Sequence, residues 1–113
     1  MRHLRDRLQD ILDAITQIEP EHAKGRAAFD ASRLIQVWIV HHLMIIGEAA
    51  RAIDPALRAK YPAIPWRQIA GMRNVLVHDY FRINHEIVWE TADRHLPALK
   101  TEVKQILDSL PDE

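Results

Sequence analysis

Hydrophobic residues recur every three or four positions near the start of the chain, with charged residues between them. This spacing places them on one face of a helix, so it predicts an amphipathic α-helix of about four turns. We expect the helix to end at Pro20, because proline lacks the backbone donor that continues a helix, and a polar connector to follow over residues 19–26. The hydrophobic positions are Leu4, Leu8, Ile11, Leu12, Ile15 and Ile18.

The segment from Leu34 to Ile53 is hydrophobic around most of its helical circumference. Asp30 or Ser32 is a suitable N-cap for it. A helix of this kind must be covered from several directions, and a chain of 113 residues offers few other helices to do so. We therefore expect a central helix that also contributes to a subunit interface. The alternative is that neighbouring helices of the same chain cover it.

Capping residues predict the helices that follow. Asp54 and Pro55 form a helix-start pair, which predicts a short helix to about Lys60. Trp66 is expected to begin a further helix that runs to about His78.

A long hydrophobic stripe predicts the last helix. Asn84 can cap it, and Pro97 is expected to kink it or divide it in two. No segment shows the sustained alternation typical of strands. The sequence predicts an all-α fold, an up-and-down bundle of four main helices plus a short helix, as one domain over residues 1–113.

Charge and composition narrow the possible functions. Lys and Arg total 15 and Asp and Glu total 16, so a nucleic-acid binder that relies on overall positive charge is excluded. The absence of cysteine excludes disulfides, zinc–thiolate sites and thiol nucleophiles. No stretch is long and apolar enough for a signal peptide or a membrane span, so we expect a cytoplasmic protein with no membrane partner.

The candidate chemistry lies in residues 71–80. On a continuous helix Arg73, Asn74 and His78 fall on the side opposite the hydrophobic residues, with Arg73 and His78 about 140° apart. They would flank one face without pointing at each other. Two copies of this face brought together would form one cleft holding two arginines and two histidines.

This residue set suits cleavage of RNA without a metal or other cofactor. One imidazole can remove the 2′-hydroxyl proton and another can protonate the leaving 5′-oxygen, because histidine titrates near neutral pH. Arginine stays charged and binds phosphate oxygens through two parallel hydrogen bonds. The alternative is that these side chains are simply solvated, since an arginine and a histidine at this spacing are common.

The string Arg73-Asn74-x3-His78-x-Tyr80 resembles the R-x4-H-x-Y motif of the HepT-like branch of the HEPN superfamily. Residues 46–49, 64–72, 87–90 and 96–99 resemble the family's second helix, its approach to the motif and its last helix. The resemblance covers essentially the whole chain, in order.

This resemblance implies a homodimeric HEPN domain that acts as a metal-independent endoribonuclease toxin of a type II toxin–antitoxin module. It implies that Arg73 and His78 of both subunits form the catalytic cleft, with Asn74 as a supporting polar residue. It also implies an antitoxin partner, an MntA-like minimal nucleotidyltransferase that transfers AMP to Tyr80. The alternative role of Tyr80 is to close the helix end.

Glu48 lies on an otherwise largely apolar side of the predicted central helix. A carboxylate there needs a partner, which Arg51, Arg73 or a histidine could supply. The family position places it at the border of the cleft, where it either orients Arg73 or satisfies a buried charge.

Two further possibilities remain open. Basic residues before and after the motif either guide RNA to the cleft or belong to a solvated surface. The second functional hypothesis is a non-catalytic nucleotide- or partner-binding module that docks the nucleotidyltransferase. The basic residues are Arg51, Arg58, Lys60, Arg67 and Arg82, together with Arg73.

Overall fold

A computed structural model describes residues 4–72, 77–79 and 82–111, with 77–79 described as backbone only. Its elements are helices α1 (Leu4–His22), α2 (Arg26–Ala31), α3 (Arg33–Ala52), α4 (Pro55–Arg58) and α5 (Trp66–Ala70), strands β1 (Val77–Asp79) and β2 (Arg82–Ile83), helix α6 (His85–Glu90), a π-helical turn (Thr91–His95) and helix α7 (Leu96–Ser109).

Helices α1, α3 and α7 build the core. α1 packs against both α3 and α7, and α5 packs against α3. The buried positions of α1 and α7 recur at the helical spacing that the sequence shows, since this spacing aligns them on one face. They include Leu8, Ile11 and Ile15 of α1, with Val103 and Ile106 of α7. The all-α prediction is confirmed, and no described helix is long and apolar enough to cross a bilayer.

Side-chain caps begin three of the helices where the sequence predicts them. Ser32, rather than Asp30, caps α3 by accepting a hydrogen bond of 3.2 Å from the amide of residue 35. Asp54 accepts one of 2.8 Å from the amide of residue 56 at the start of α4. Asn84 accepts one of 3.1 Å from the amide of residue 87 in α6. These contacts satisfy amides that the first turn of a helix leaves unpaired.

The predicted end of the first helix at Pro20 is wrong. α1 continues through Pro20 to His22. Pro20 lies on the exposed side of the helix, where solvent can satisfy the backbone carbonyl that it leaves without a donor. The connector expected over residues 19–26 is also partly helical, because α1 runs to His22 and α2 begins at Arg26. Phe29, beyond that connector, is fully buried against the core and holds α2 in place.

The predicted helix from Trp66 to His78 is wrong as well. α5 ends at Ala70, Gly71 forms a turn, Met72 is again helical, and β1 is already extended at residues 77–79. β1 pairs antiparallel with β2, so the otherwise helical chain contains a short hairpin. Glycine weakens the helix at Gly71, and β-branched residues such as those at 77 and 83 favour an extended backbone.

Pro97 divides the last helix, as expected. α6 is followed by the π-helical turn over Thr91–His95, and Pro97 occupies the first turn of α7. Proline has no amide hydrogen and its ring crowds the carbonyl four residues earlier, which here belongs to Asp93. A wider turn directly before it relieves that crowding.

Candidate functional site

The motif residues fall largely outside the described part of the chain. Arg73, Asn74 and Tyr80 lie among residues that the structure does not describe, and His78 is described only through its backbone in β1. The estimate of about 140° between Arg73 and His78 assumed a continuous helix, so it does not hold. The pairing of these two side chains stays a prediction.

The hairpin fixes the backbone at His78. Val77 lies opposite Ile83 and Asp79 lies opposite Arg82, with an irregularity in the ladder between the two pairs. His78 therefore sits between two residues that are paired to the neighbouring strand. The backbone of the proposed catalytic histidine is held from the C-terminal side of the motif.

The N-terminal side of the motif is held by α3. A Cβ atom on Gly47 would lie 3.1 Å from the carbonyl oxygen of Ile69, so the two backbones approach closely because this position carries no side chain. One turn later, Nη2 of Arg51 donates a hydrogen bond of 2.9 Å to the carbonyl oxygen of Ala70. Both contacts reach the end of α5, just before residue 73.

Glu48 is an exposed carboxylate, with 67% of its side chain accessible. Its Oε1 lies 3.3 Å from Nη1 of Arg51, one of the candidate partners that the sequence offered; Arg73, another, lies outside the described residues. In the single chain Glu48 is therefore not buried, and its role beside the cleft stays a prediction. At this exposure solvent screens the pair, so we expect it to restrict the guanidinium more than it stabilises the fold.

A groove of about 350 Å³ runs between α1 and α3 beside Glu48. Its lining combines charged and apolar side chains: Arg7, Asp10, His41, Met44, Ile45, Glu48, Ala49 and Ala52. Towards the start of α3 the surface becomes apolar, because Leu34, Val37 and Trp38 are 84%, 46% and 43% exposed. We call these three residues with the groove lining from α3 the α3 face.

The two histidines of α3 differ in burial. His42 is buried, and its Nδ1 lies 2.8 Å from the carbonyl oxygen of Trp38, so it serves the packing of the helix. His41 is exposed and lines the groove on the α3 face.

Ion pairs with shifted pKa values lie elsewhere, between α2 and α6. Hydrogen bonding from Arg26 lowers the pKa of the exposed Glu86 carboxyl. Glu86 and Asp30 in turn raise the pKa of Arg26. The pair of Arg26 with Glu86 joins α2 to α6, whereas Arg26 and Asp30 both lie in α2. The pKa shifts follow from this surface ion pairing.

A larger cavity of about 520 Å³ lies between the segment that contains α5 and the π-helical turn with α7. Among the described residues its lining is mostly apolar, with His95 and Glu102 as its ionisable side chains. These described residues supply no arginine or lysine for phosphate recognition.

Comparison with known proteins places these features in a family. The family model described as Ribonuclease HepT-like matches residues 11–106, which include Glu48 and the whole motif. A protein of Thermococcus cleftensis named probable ribonuclease HepT is 34% identical over 107 residues, covering 93% of this chain and 96% of that relative. A Methanocaldococcus jannaschii protein named as a candidate RNase is 34% identical over 104 residues, covering 91% of this chain and 95% of the relative.

A third relative shows the highest identity of these three over a shorter alignment. This candidate RNase from Caldanaerobacter subterraneus subsp. tengcongensis is 46% identical over 68 residues, which span 60% of this chain and 61% of that protein. No solved structure matches the chain. The match of the family model and the near full-length relatives confirm the resemblance that the motif indicated: the chain belongs to the HepT-like ribonuclease family.

Proposed function

We propose that this HepT-like ribonuclease is a metal-independent endoribonuclease toxin that acts as a homodimer. The observation that carries the proposal is the family match across Arg73, Asn74 and His78, the residues whose chemistry fits cleavage of a phosphodiester. The anchored backbone on both sides of the motif supports it, because a catalytic group has to be held close to its working geometry.

In the proposed reaction the 2′-oxygen of the RNA attacks the adjacent phosphorus atom. His78 of one subunit takes the 2′-hydroxyl proton, and His78 of the other gives a proton to the leaving 5′-oxygen. The bond between phosphorus and the 5′-oxygen breaks, which leaves a 2′,3′-cyclic phosphate and a 5′-hydroxyl. Arg73 stabilises the negative charge on the non-bridging oxygens, with Asn74 in support.

The α3 face supports the proposed dimer. Leu34, Val37 and Trp38 expose apolar surface next to one another, and such patches on small proteins mark interaction sites. The same face carries Glu48, which contacts Arg51 and through it the end of α5. A second copy on this face would therefore lie close to the beginning of the motif, where a composite cleft has to form.

Control by an antitoxin follows from the family resemblance. An MntA-like minimal nucleotidyltransferase would transfer AMP from ATP to the hydroxyl oxygen of Tyr80, which loses its proton, and pyrophosphate would leave. The added phosphate and nucleoside would lie two residues from His78, where the phosphate can pair with Arg73 and exclude the RNA. RNA as the substrate fits a cytoplasmic location.

The decisive experiment measures RNA cleavage in the presence of a metal chelator. Wild-type protein should cut RNA and leave 2′,3′-cyclic phosphate ends, and His78→Ala and Arg73→Ala should lose cutting. Cleavage that persists in His78→Ala would refute the proposal. If the wild type does not cut RNA and its expression does not arrest growth, the chain is instead a module that docks the nucleotidyltransferase.

The partner is tested separately by intact mass. After co-expression with the nucleotidyltransferase the wild type should gain the mass of one or more AMP units, and Tyr80→Phe should gain none. Added AMP mass on Tyr80→Phe would show that another residue is the target.

A further inference from the structure

Helix α5 is too short to hold itself in place. It has five residues, from Trp66 to Ala70, and helices of this length are unstable without tertiary contacts. Trp66 anchors its first turn by burying its ring and donating a hydrogen bond of 3.0 Å to the carbonyl oxygen of Tyr61. Its last turn depends on α3, through the close approach at Gly47 and the hydrogen bond from Arg51.

The contact from Arg51 reaches a carbonyl at the end of the helix. Carbonyl groups in the last turn lack amide partners within the helix and carry partial negative charge, so a guanidinium is a suitable donor there. Nη2 of Arg51 satisfies Ala70 at 2.9 Å, while Nη1 lies 3.3 Å from Oε1 of Glu48. The planar fork of arginine makes both contacts at once, which the single ammonium group of lysine cannot reproduce.

The position of Ala70 limits where the motif begins. Arg73 follows three residues later, so its Cα lies within about 11 Å of the Cα of Ala70, whatever the conformation between them. A displacement of the last turn of α5 therefore changes the point from which the segment with the proposed catalytic arginine starts. Misplacing a catalytic group by about 1 Å can cost roughly 100-fold in rate.

We propose that Arg51 is a positioning residue for RNA cleavage, which acts by holding the carbonyl of Ala70 and with it the start of the motif. This inference rests on the proposed function. Glu48 would then act on RNA cleavage indirectly, because its carboxylate restricts the guanidinium of Arg51. The positioning role differs from direct RNA binding by Arg51, because positioning affects turnover, whereas loss of a phosphate contact affects affinity and its salt dependence.

The test compares kcat and KM on one RNA oligonucleotide at two salt concentrations. Arg51→Ala should lower kcat by roughly 10- to 100-fold and leave KM and its salt dependence within about twofold. Arg51→Lys should restore part of kcat, because lysine can reach one of the two acceptors.

Two control variants match these substitutions. Like Arg51→Ala, Arg67→Ala removes one positive charge, here from α5 itself. If that charge helps to bind RNA, its loss should appear in KM. Lys104→Ala lies on the exposed side of α7 and should leave both constants unchanged. Circular dichroism checks that each variant folds. If Arg51→Ala does not fold, Arg51→Lys and Arg51→Gln test the inference instead.

A double-mutant cycle examines the part of Glu48. If Glu48 acts through Arg51, Glu48→Gln should lower kcat in the wild type and have no further effect in Arg51→Ala. Additive effects would show that Glu48 acts independently.

The outcomes separate this inference from the function on which it rests. An active, His78-dependent wild type with unchanged kcat in Arg51→Ala overturns the positioning role alone. A raised KM with an altered salt dependence and full kcat identifies Arg51 as an RNA contact instead. An inactive wild type overturns the proposed function and the inference together.

Discussion

The contact between Gly47 and Ile69 makes a quantitative prediction for Gly47→Ala. The added Cβ would lie 3.1 Å from the carbonyl oxygen of Ile69, which is tighter than the ordinary contact distance that begins near 3.4 Å. Because this oxygen belongs to the backbone, α5 has to shift by a few tenths of an ångström, since no side chain can rotate away.

Two opposing effects set the size of the stability change. Replacing glycine by alanine within α3 favours the helix by about 0.5–1 kcal/mol. Overpacking a close contact costs about 1–3 kcal/mol. We therefore expect Gly47→Ala to lower the free energy of unfolding by about 0–2.5 kcal/mol. Its kcat should fall roughly threefold to tenfold, because the shift is a fraction of 1 Å.

Gly71→Ala is the matched control for stability. Its added Cβ would lie 3.4 Å from the carbonyl oxygen of Arg67, an ordinary contact, and Gly71 has φ −90°, which alanine adopts readily.

Urea unfolding gives the free energies of unfolding, and initial rates at saturating RNA give kcat. If Gly47→Ala is more stable than the wild type by the full helix preference and retains its kcat, then α3 does not fix the position of α5.

Three other predictions concern the dimer, pH and packing. Leu34→Glu should raise the dissociation constant of the proposed dimer at least about tenfold, because it places a charge on an 84% exposed apolar position. Gln105→Glu, at an exposed position of α7, should leave it unchanged, and sedimentation equilibrium measures both variants. The hydrogen bond from Arg26 lowers the pKa of Glu86, so this ion pair stabilises the fold fully at pH values above the ordinary carboxyl pKa. The stabilisation is lost as the pH falls through the lowered pKa of Glu86. The melting temperatures of wild type and Glu86→Gln should thus differ most near pH 7 and converge at acid pH, and a constant difference would contradict this. Gln36→Leu should cost about 1–3 kcal/mol in denaturant unfolding, because the buried Gln36 amide donates to a carbonyl at the end of α2 at 2.9 Å; a neutral effect would show that the bond adds nothing.

Local chemistry explains which elements the sequence predicts correctly. Ser32, Asp54 and Asn84 act on amides two or three residues away, so their capping role can be read from the neighbouring residues. Pro20 misleads for the opposite reason, because a proline is tolerated when its side of the helix faces solvent, and burial depends on the whole fold.

The candidate site is predictable only in part, because sequence spacing records local patterns and not contacts between distant residues. Residue types and spacing identify Arg73, His78 and Tyr80 as a motif, but the spacing does not reveal the interruption at Gly71 or the hairpin after it. The bond between Arg51 and Ala70 joins residues 19 positions apart, and no periodic pattern records such a contact.

The π-helical turn sets the rotational register of the helices on either side of it. Each residue of an α-helix advances the chain by about 100°, so deleting one residue between Thr91 and His95 would turn α6 by that amount relative to α7. The ring of Trp89, which stacks on His22 at 4.8 Å, would then point away from α1. The extra residue in the wide turn thus keeps the hydrophobic faces of α6 and α7 directed towards the same core. Deleting a residue from this turn would disturb the packing far more than substituting one.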